Sequence, residues 1–256
     1  MGTLDLSTPP DEADLAATTY IDATDPSVVE YMREVTAGCE TDREKAVALF
    51  DAVRDGIRYD PYNTSRDPDD YRASAVIDGS QKWCVPKAVL LTAAARAAGI
   101  PARLGFSDVK NHLQSEKLAD NMGTDLFAWH GYSVLFIDGE WRKASPAFNR
   151  SLCERFGTKV LEFDGHTDAL LHPHDEAGNR HMEYVADRAS TRTCPSTTSS
   201  PPSTRSTPEA QPTPSTRCFT TTDRSSGAPA SGRYRTGDSE RPALAGRPVI
   251  NGAGHS

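Results

Sequence analysis

No run of about 18 apolar residues occurs anywhere in the 256-residue chain, so the sequence predicts no membrane-spanning helix and no membrane partner. The opening, MGTLDLSTPPDEADLAATTY, is acidic; it has neither the basic start nor the apolar core of a secretory signal, and Leu6 stands where a myristoylation start needs Ser or Thr. Cysteine is scarce. The five residues (Cys39, Cys84, Cys153, Cys194 and Cys218) are odd in number and lack any CxxC spacing, which argues against a disulfide framework and against a zinc knuckle. The default expectation is a cytoplasmic protein with free thiols. Basic charge is also in deficit, with 28 Lys and Arg against 36 Asp and Glu for a net of −8, a poor basis for nucleic-acid binding.

Hydrophobic patterning disappears after Arg188. Of the 68 residues from 189 to 256, 33 are Ser, Thr or Pro, and the segment holds eight Arg, no Lys and four acids. Such a composition cannot bury enough apolar surface to offset about 1–2 kcal/mol of ordering entropy per residue, so residues 189–256 are predicted to be a disordered tail. The abrupt junction also fits a frameshifted translation. The remaining 188 residues carry a net charge of −12. The expected organisation is an N-terminal extension (1–24), one domain (25–188) and the tail.

Within that domain, Asp25-Pro26 opens a short helix that closes at Gly38. Thr41 with Glu44 three residues on is a capping box, and Ala46, Leu49, Phe50, Val53 and Ile57 follow at helical spacing. After a polar loop, WCVPKAVLLTAAARAAGIP reads as a helix apolar all round, closed by Gly99 and Pro101. PARLGFSDV is a strand, and LFAWHGYSVLFIDGEWRKASPAF is two strands joined at Asp138-Gly139, a strong hairpin signal. Strict alternation puts His130 on one face with Ala128, Tyr132, Val134 and Phe136. NRSLCERFG reads as a short helix, KVLEF as a short strand, and DGHTDALLHPHDEAGNRHMEYV as an irregular wrap. Helices first and antiparallel strands afterwards predict an α+β domain.

Cys84 at the entrance of a helix is open to several readings: packing residue, metal ligand, half of a disulfide, or nucleophile. Unsatisfied N–H groups and the helix dipole there stabilise a thiolate and can hold an oxyanion. His130, on a strand downstream, is a rigid mount for a general base. Taken singly, a buried thiol and a mid-strand His are more often core residues. The late histidines (His166, His172, His174 and His181) match no recognised ligand spacing, so no metal or cofactor is expected. Asp108, Asn111 and His112 are read as a solvated connection, with lining of a cleft as the alternative.

The phrases TDREKAVALFDAVRDGIRYDP, WCVPKAVLLTAAARAAGIPARLGF and FAWHGYSVLFIDGEWRKASPAF, spanning residues 41 to 146, resemble the transglutaminase-like superfamily of papain-type folds. The resemblance implies a papain-like core in which Cys84 is the nucleophile and His130 the base. It also implies a third catalytic residue on the strand after the hairpin, just before Pro146. That position usually holds Asp; here it is Ser145, with Asn149 as the alternative orienter. The implied activity is acyl transfer or hydrolysis at an amide of a peptide or protein, by a cysteine peptidase, amidase or transglutaminase. The alternative is a catalytically weakened fold serving as a peptide-binding module.

Overall fold

In the computed structural model the described residues are 5–114, 116, 118, 120 and 123–194. Helices come first. α1 (Pro26–Val35) is capped by the Asp25 carboxylate, which accepts from the Ser27 N–H, and Pro26 stands at its first position. In α2 (Asp42–Gly56) the reciprocal Thr41–Glu44 capping box forms as the sequence predicts. A single turn, α3 (Ala73–Val76), leads to α4 (Cys84–Ala97), and every residue of α4 from Cys84 to Arg96 is buried. That explains why its sequence carries no polar face: α1, α2 and α3 cover one side and the sheet covers the other.

The sheet has four antiparallel strands in the order β3-β2-β1-β4: β1 (Ala102–Asn111), β2 (Leu126–Ile137), β3 (Glu140–Ala144) and β4 (Met182–Thr191). The hairpin at Asp138-Gly139 forms as expected, with both residues at positive φ (51° and 87°), the backbone of a primed turn. A last helix, α5 (Arg150–Phe156), follows β3. The fold is α+β, with α4 at its centre.

Three expectations need correction. KVLEF is not a strand; residues 159–163 run without regular structure. The wrap after it ends in β4, which adds to the outer edge of β1 and was concealed by its polar residues. Asp108 and Asn111 are not in a solvated connection, because β1 runs through Asn111 and buries both.

The composition break at Arg188 falls inside β4. Beyond it, Arg192 pairs with Asp11 and with the fully buried Asp14, which also receives two bonds from Arg103. The segment before α1 is therefore packed onto the sheet, and Ile21 and Ala23 enter the core. The disordered tail expected from residue 189 lies, from residue 195 on, outside the described residues. No helix among the described residues is long and apolar enough to cross a membrane.

Candidate active site

The N-cap of α4 is Trp83, whose side chain cannot accept a hydrogen bond, so the first N–H groups of the helix have no side-chain cap. The backbone N–H groups of Gly131 on β2, of Val85 and of Cys84 itself act on the Cys84 thiol, each favouring the thiolate. β3 pairs with β2 only from Ser133 to Ile137, which leaves the edge of β2 at Gly131 open to the first turn of α4. Any side chain at 131 would prevent this approach, since a Cβ there would lie 2.9 Å from Val85 Cγ2 and 3.0 Å from Val85 Cα. A glycine inside an otherwise bulky strand was the sequence signal for close backbone approach, and it was not read as one.

His130 precedes Gly131 on β2 and is 6% exposed. Its Nε2 lies 3.1 Å from the Oγ of Ser145, which is 1% exposed. Ser145 is fixed by its own N–H donating to Ala169 O at 2.9 Å and by Pro146 after it. The Tyr184 ring of β4 packs edge-on to the imidazole at 6.2 Å. Tyr184 and Tyr59, both half-buried, also feel the Cys84 thiol. His130 is thus joined to Ser145, and Gly131, the residue after it, lies against the first turn of α4, where Cys84 begins the helix. No hydrogen bond joins the thiol to the imidazole, whose bond is to Ser145.

Asn149 does not join them. Its Oδ1 accepts from the Tyr59 N–H and its Nδ2 donates to Ser151, at the start of α5. Strict alternation along β2 also fails, because Ala128 is exposed while His130 is buried. Between the pairs Val109–Phe127 and Ser107–His130, Asp108 alone faces both Ala128 and Trp129, which makes a β-bulge.

The electrostatics depart from the expectation of an acidified thiol. Burial pushes the Cys84 thiol up to about 11, outweighing the N–H groups of Gly131, Val85 and Cys84 and the charge of Lys87. Burial alone pushes the His130 imidazole down to about 4, and no carboxylate opposes it. Thiol and imidazole are both neutral at pH 7. Lys87, one helical turn after Cys84, is fully buried, and burial pushes its amine down to about 7. Its Nζ donates to the carbonyls of Arg54 (2.9 Å) and Ile57 (2.5 Å) at the end of α2, tying that helix to the first turn of α4. Lys is almost never fully buried unless paired, so nothing local in the sequence signals this role for Lys87.

A polar cavity of about 250 Å³ opens beside the same turn, lined by Asp70, Tyr71, Asp78, Lys82, Trp83 and Pro86 among others. No group of three His, Cys, Asp or Glu among the described residues could hold a metal ion. Of the late histidines, His172 faces Val160 O and His181 stacks on Phe148.

Residues 29–146, the stretch that holds Cys84, His130 and Ser145, match the transglutaminase-like superfamily. That stretch is a little under half of the chain. No curated protein matches it. Among solved structures it is similar to a candidate cysteine protease from Cytophaga hutchinsonii, at 17% identity and a TM-score of 0.42 over 74% of this chain and 56% of that one. A candidate protease from Parabacteroides distasonis shows 18% identity and a TM-score of 0.35, over 52% of this chain and 26% of that one. The periplasmic domain of TgpA from Pseudomonas aeruginosa shows 21% identity and a TM-score of 0.35, over 52% and 45%. The chain spans about half the length of the first of these.

Proposed function

We propose that the protein catalyses thiol-dependent acyl transfer or hydrolysis at an amide of a peptide or protein, with Cys84 as nucleophile, His130 as base and Ser145 as the residue that orients the imidazole. The observation that carries this reading is the bond between His130 Nε2 and Ser145 Oγ. With Nε2–H donating to the hydroxyl, the lone pair is on Nδ1, the nitrogen left to take the thiol proton. Attack then proceeds from a neutral pair: the S–H proton passes to Nδ1 as sulfur bonds to the carbonyl carbon, since burial disfavours a standing ion pair. The N–H groups of the first turn of α4 are placed to receive negative charge as it develops. The imidazolium gives that proton to the amide nitrogen as the C–N bond breaks and the amine leaves. Water in hydrolysis, or a second amine in transfer, then attacks the thioester, loses a proton to His130 and releases the Cys84 thiol.

A second reading, a peptide-binding module, is favoured by the burial of both groups (Cys84 5% and His130 6% exposed). A peptide library assayed for cleavage and for incorporation of a fluorescent primary amine separates the two. Turnover abolished by both Cys84→Ala and His130→Ala supports the enzyme. Peptide capture without turnover, unchanged in those variants, supports the module.

A further inference from the structure

Trp129 has a φ of 61°, in the left-handed region, in the middle of a strand. For a bulky L-residue this conformation costs about 1–2 kcal/mol and persists only where its surroundings impose it. The residue lies directly before His130.

The surroundings that impose it are visible. Asp108 on β1 stands opposite the bulge, and its Oδ1 accepts the Trp129 N–H at 3.2 Å. Its Oδ2 takes the Arg188 guanidinium through Nε (2.9 Å) and Nη2 (2.5 Å). Arg188 lies at a second bulge, on β4, where the pairing jumps from Phe106–Ala189 to Ser107–Asp187 and leaves Arg188 over. Its guanidinium also lies over the Trp129 ring at 5.7 Å. The central strand thus presents one buried carboxylate between bulges on both neighbouring strands. A bulge re-aims the side chains that follow it, and a slip of one residue would turn His130 to the opposite face.

We propose that Asp108 is a positioning residue for His130: it holds the Trp129 backbone in its left-handed turn, is itself clamped by Arg188, and so aims the imidazole at Ser145 and the Cys84 locus. The consequence for rate rests on the acyl-transfer reading above; the effect on the imidazole does not. Asp108 does not touch the reacting atoms, so its contribution is geometric.

The test uses the full chain with ¹⁵N-labelled histidine, reading the tautomer and titration midpoint of His130 by NMR, and in parallel the acylation of Cys84 by p-nitrophenyl acetate by mass spectrometry. In Asp108→Ala, the single Nε2–H tautomer is expected to give way to a mixture. The midpoint should rise from about 4 toward the ordinary 6.5, and acylation should slow by about 100-fold. Adding Trp129→Gly, a residue that adopts positive φ without help, should restore the wild-type tautomer and midpoint. Asp108→Asn, which keeps an acceptor for the Trp129 N–H, should retain them. An unchanged tautomer and midpoint in Asp108→Ala, or changes that Trp129→Gly does not reverse, overturns the proposal. So does a shifted tautomer in folded Asp108→Asn, which keeps the test decisive if Asp108→Ala does not fold. Absence of acylation in the wild-type protein would count against the functional reading alone, since the NMR comparison is independent of it.

Discussion

His130 Nε2 and Ser145 Oγ lie 3.1 Å apart, so a hydroxyl occupies the position where the superfamily resemblance calls for a carboxylate. Serine fixes the ring but supplies no negative charge, and the imidazole accordingly stays neutral far below neutrality. Ser145→Asp should raise the His130 midpoint well above about 4, because a carboxylate at hydrogen-bond distance favours imidazolium. Ser145→Ala should leave the midpoint low, lose the single tautomer and slow any Cys84-dependent turnover by about tenfold or more. Titration of the His130 ring by NMR checks both variants. A midpoint that does not move in folded Ser145→Asp would show that Ser145 is not the imidazole's partner in solution.

Thiol reactivity should follow the raised thiol. Alkylation by iodoacetamide, read on the Cys84 peptide, is expected to keep rising with pH through 9 toward about 11. Saturation below pH 8 would mean a thiolate–imidazolium pair already formed in the free protein. The same shift works on stability. A thiol held above its ordinary 9 contributes stability that is complete below pH 9 and is lost as pH rises toward 11.

His130 acts at the acid end with the opposite sense. Its folded value of about 4 lies below the ordinary 6.5, so the unfolded chain binds the proton first as pH falls. Stability present above pH 6.5 is lost between 6.5 and 4, by on the order of 3 kcal/mol from this group. Urea unfolding at pH 7.5 and pH 4.5 should show the loss in the wild-type protein and a smaller loss in His130→Phe. Equal losses would place the acid sensitivity elsewhere.

Gly131→Ala should separate the elements that carry the pair. The new Cβ would press on the Val85 backbone, costing about 1–3 kcal/mol and moving the first turn of α4 off β2. Gly56→Ala, at the end of α2 where a Cβ meets nothing within 4 Å, serves as the control and should be neutral or slightly stabilising. Thermal melts of the two variants decide it; equal melting temperatures would remove the claim that Gly131 sets the approach.

Where local rules act alone, the sequence was legible. The Thr41–Glu44 box, the Asp25 cap and the Asp138-Gly139 turn formed as written, because each is settled within a few residues. The α4 helix was legible too, since its continuous apolar surface leaves no alternative to a central position. β4 was not, because an edge strand with polar residues such as Glu183 and Asp187 shows little alternation. The bulge at Trp129 was likewise concealed, as it depends on Asp108 and Arg188, 21 residues before and 59 after in the chain. The thiol's environment was misjudged for a related reason. The helix N-terminus is a local signal that favours a thiolate, whereas burial by Tyr59, Tyr184 and the sheet is a tertiary one, and it prevails.

The most direct test of the central claim is to look for the acyl-enzyme. After brief exposure of the full chain to p-nitrophenyl acetate at pH 7.5, peptide-level mass spectrometry should find one acetyl group on Cys84, absent in Cys84→Ala and formed much more slowly in His130→Ala. Acetylation confined to other residues, or proceeding on Cys84 at the same rate without the imidazole, would contradict the account.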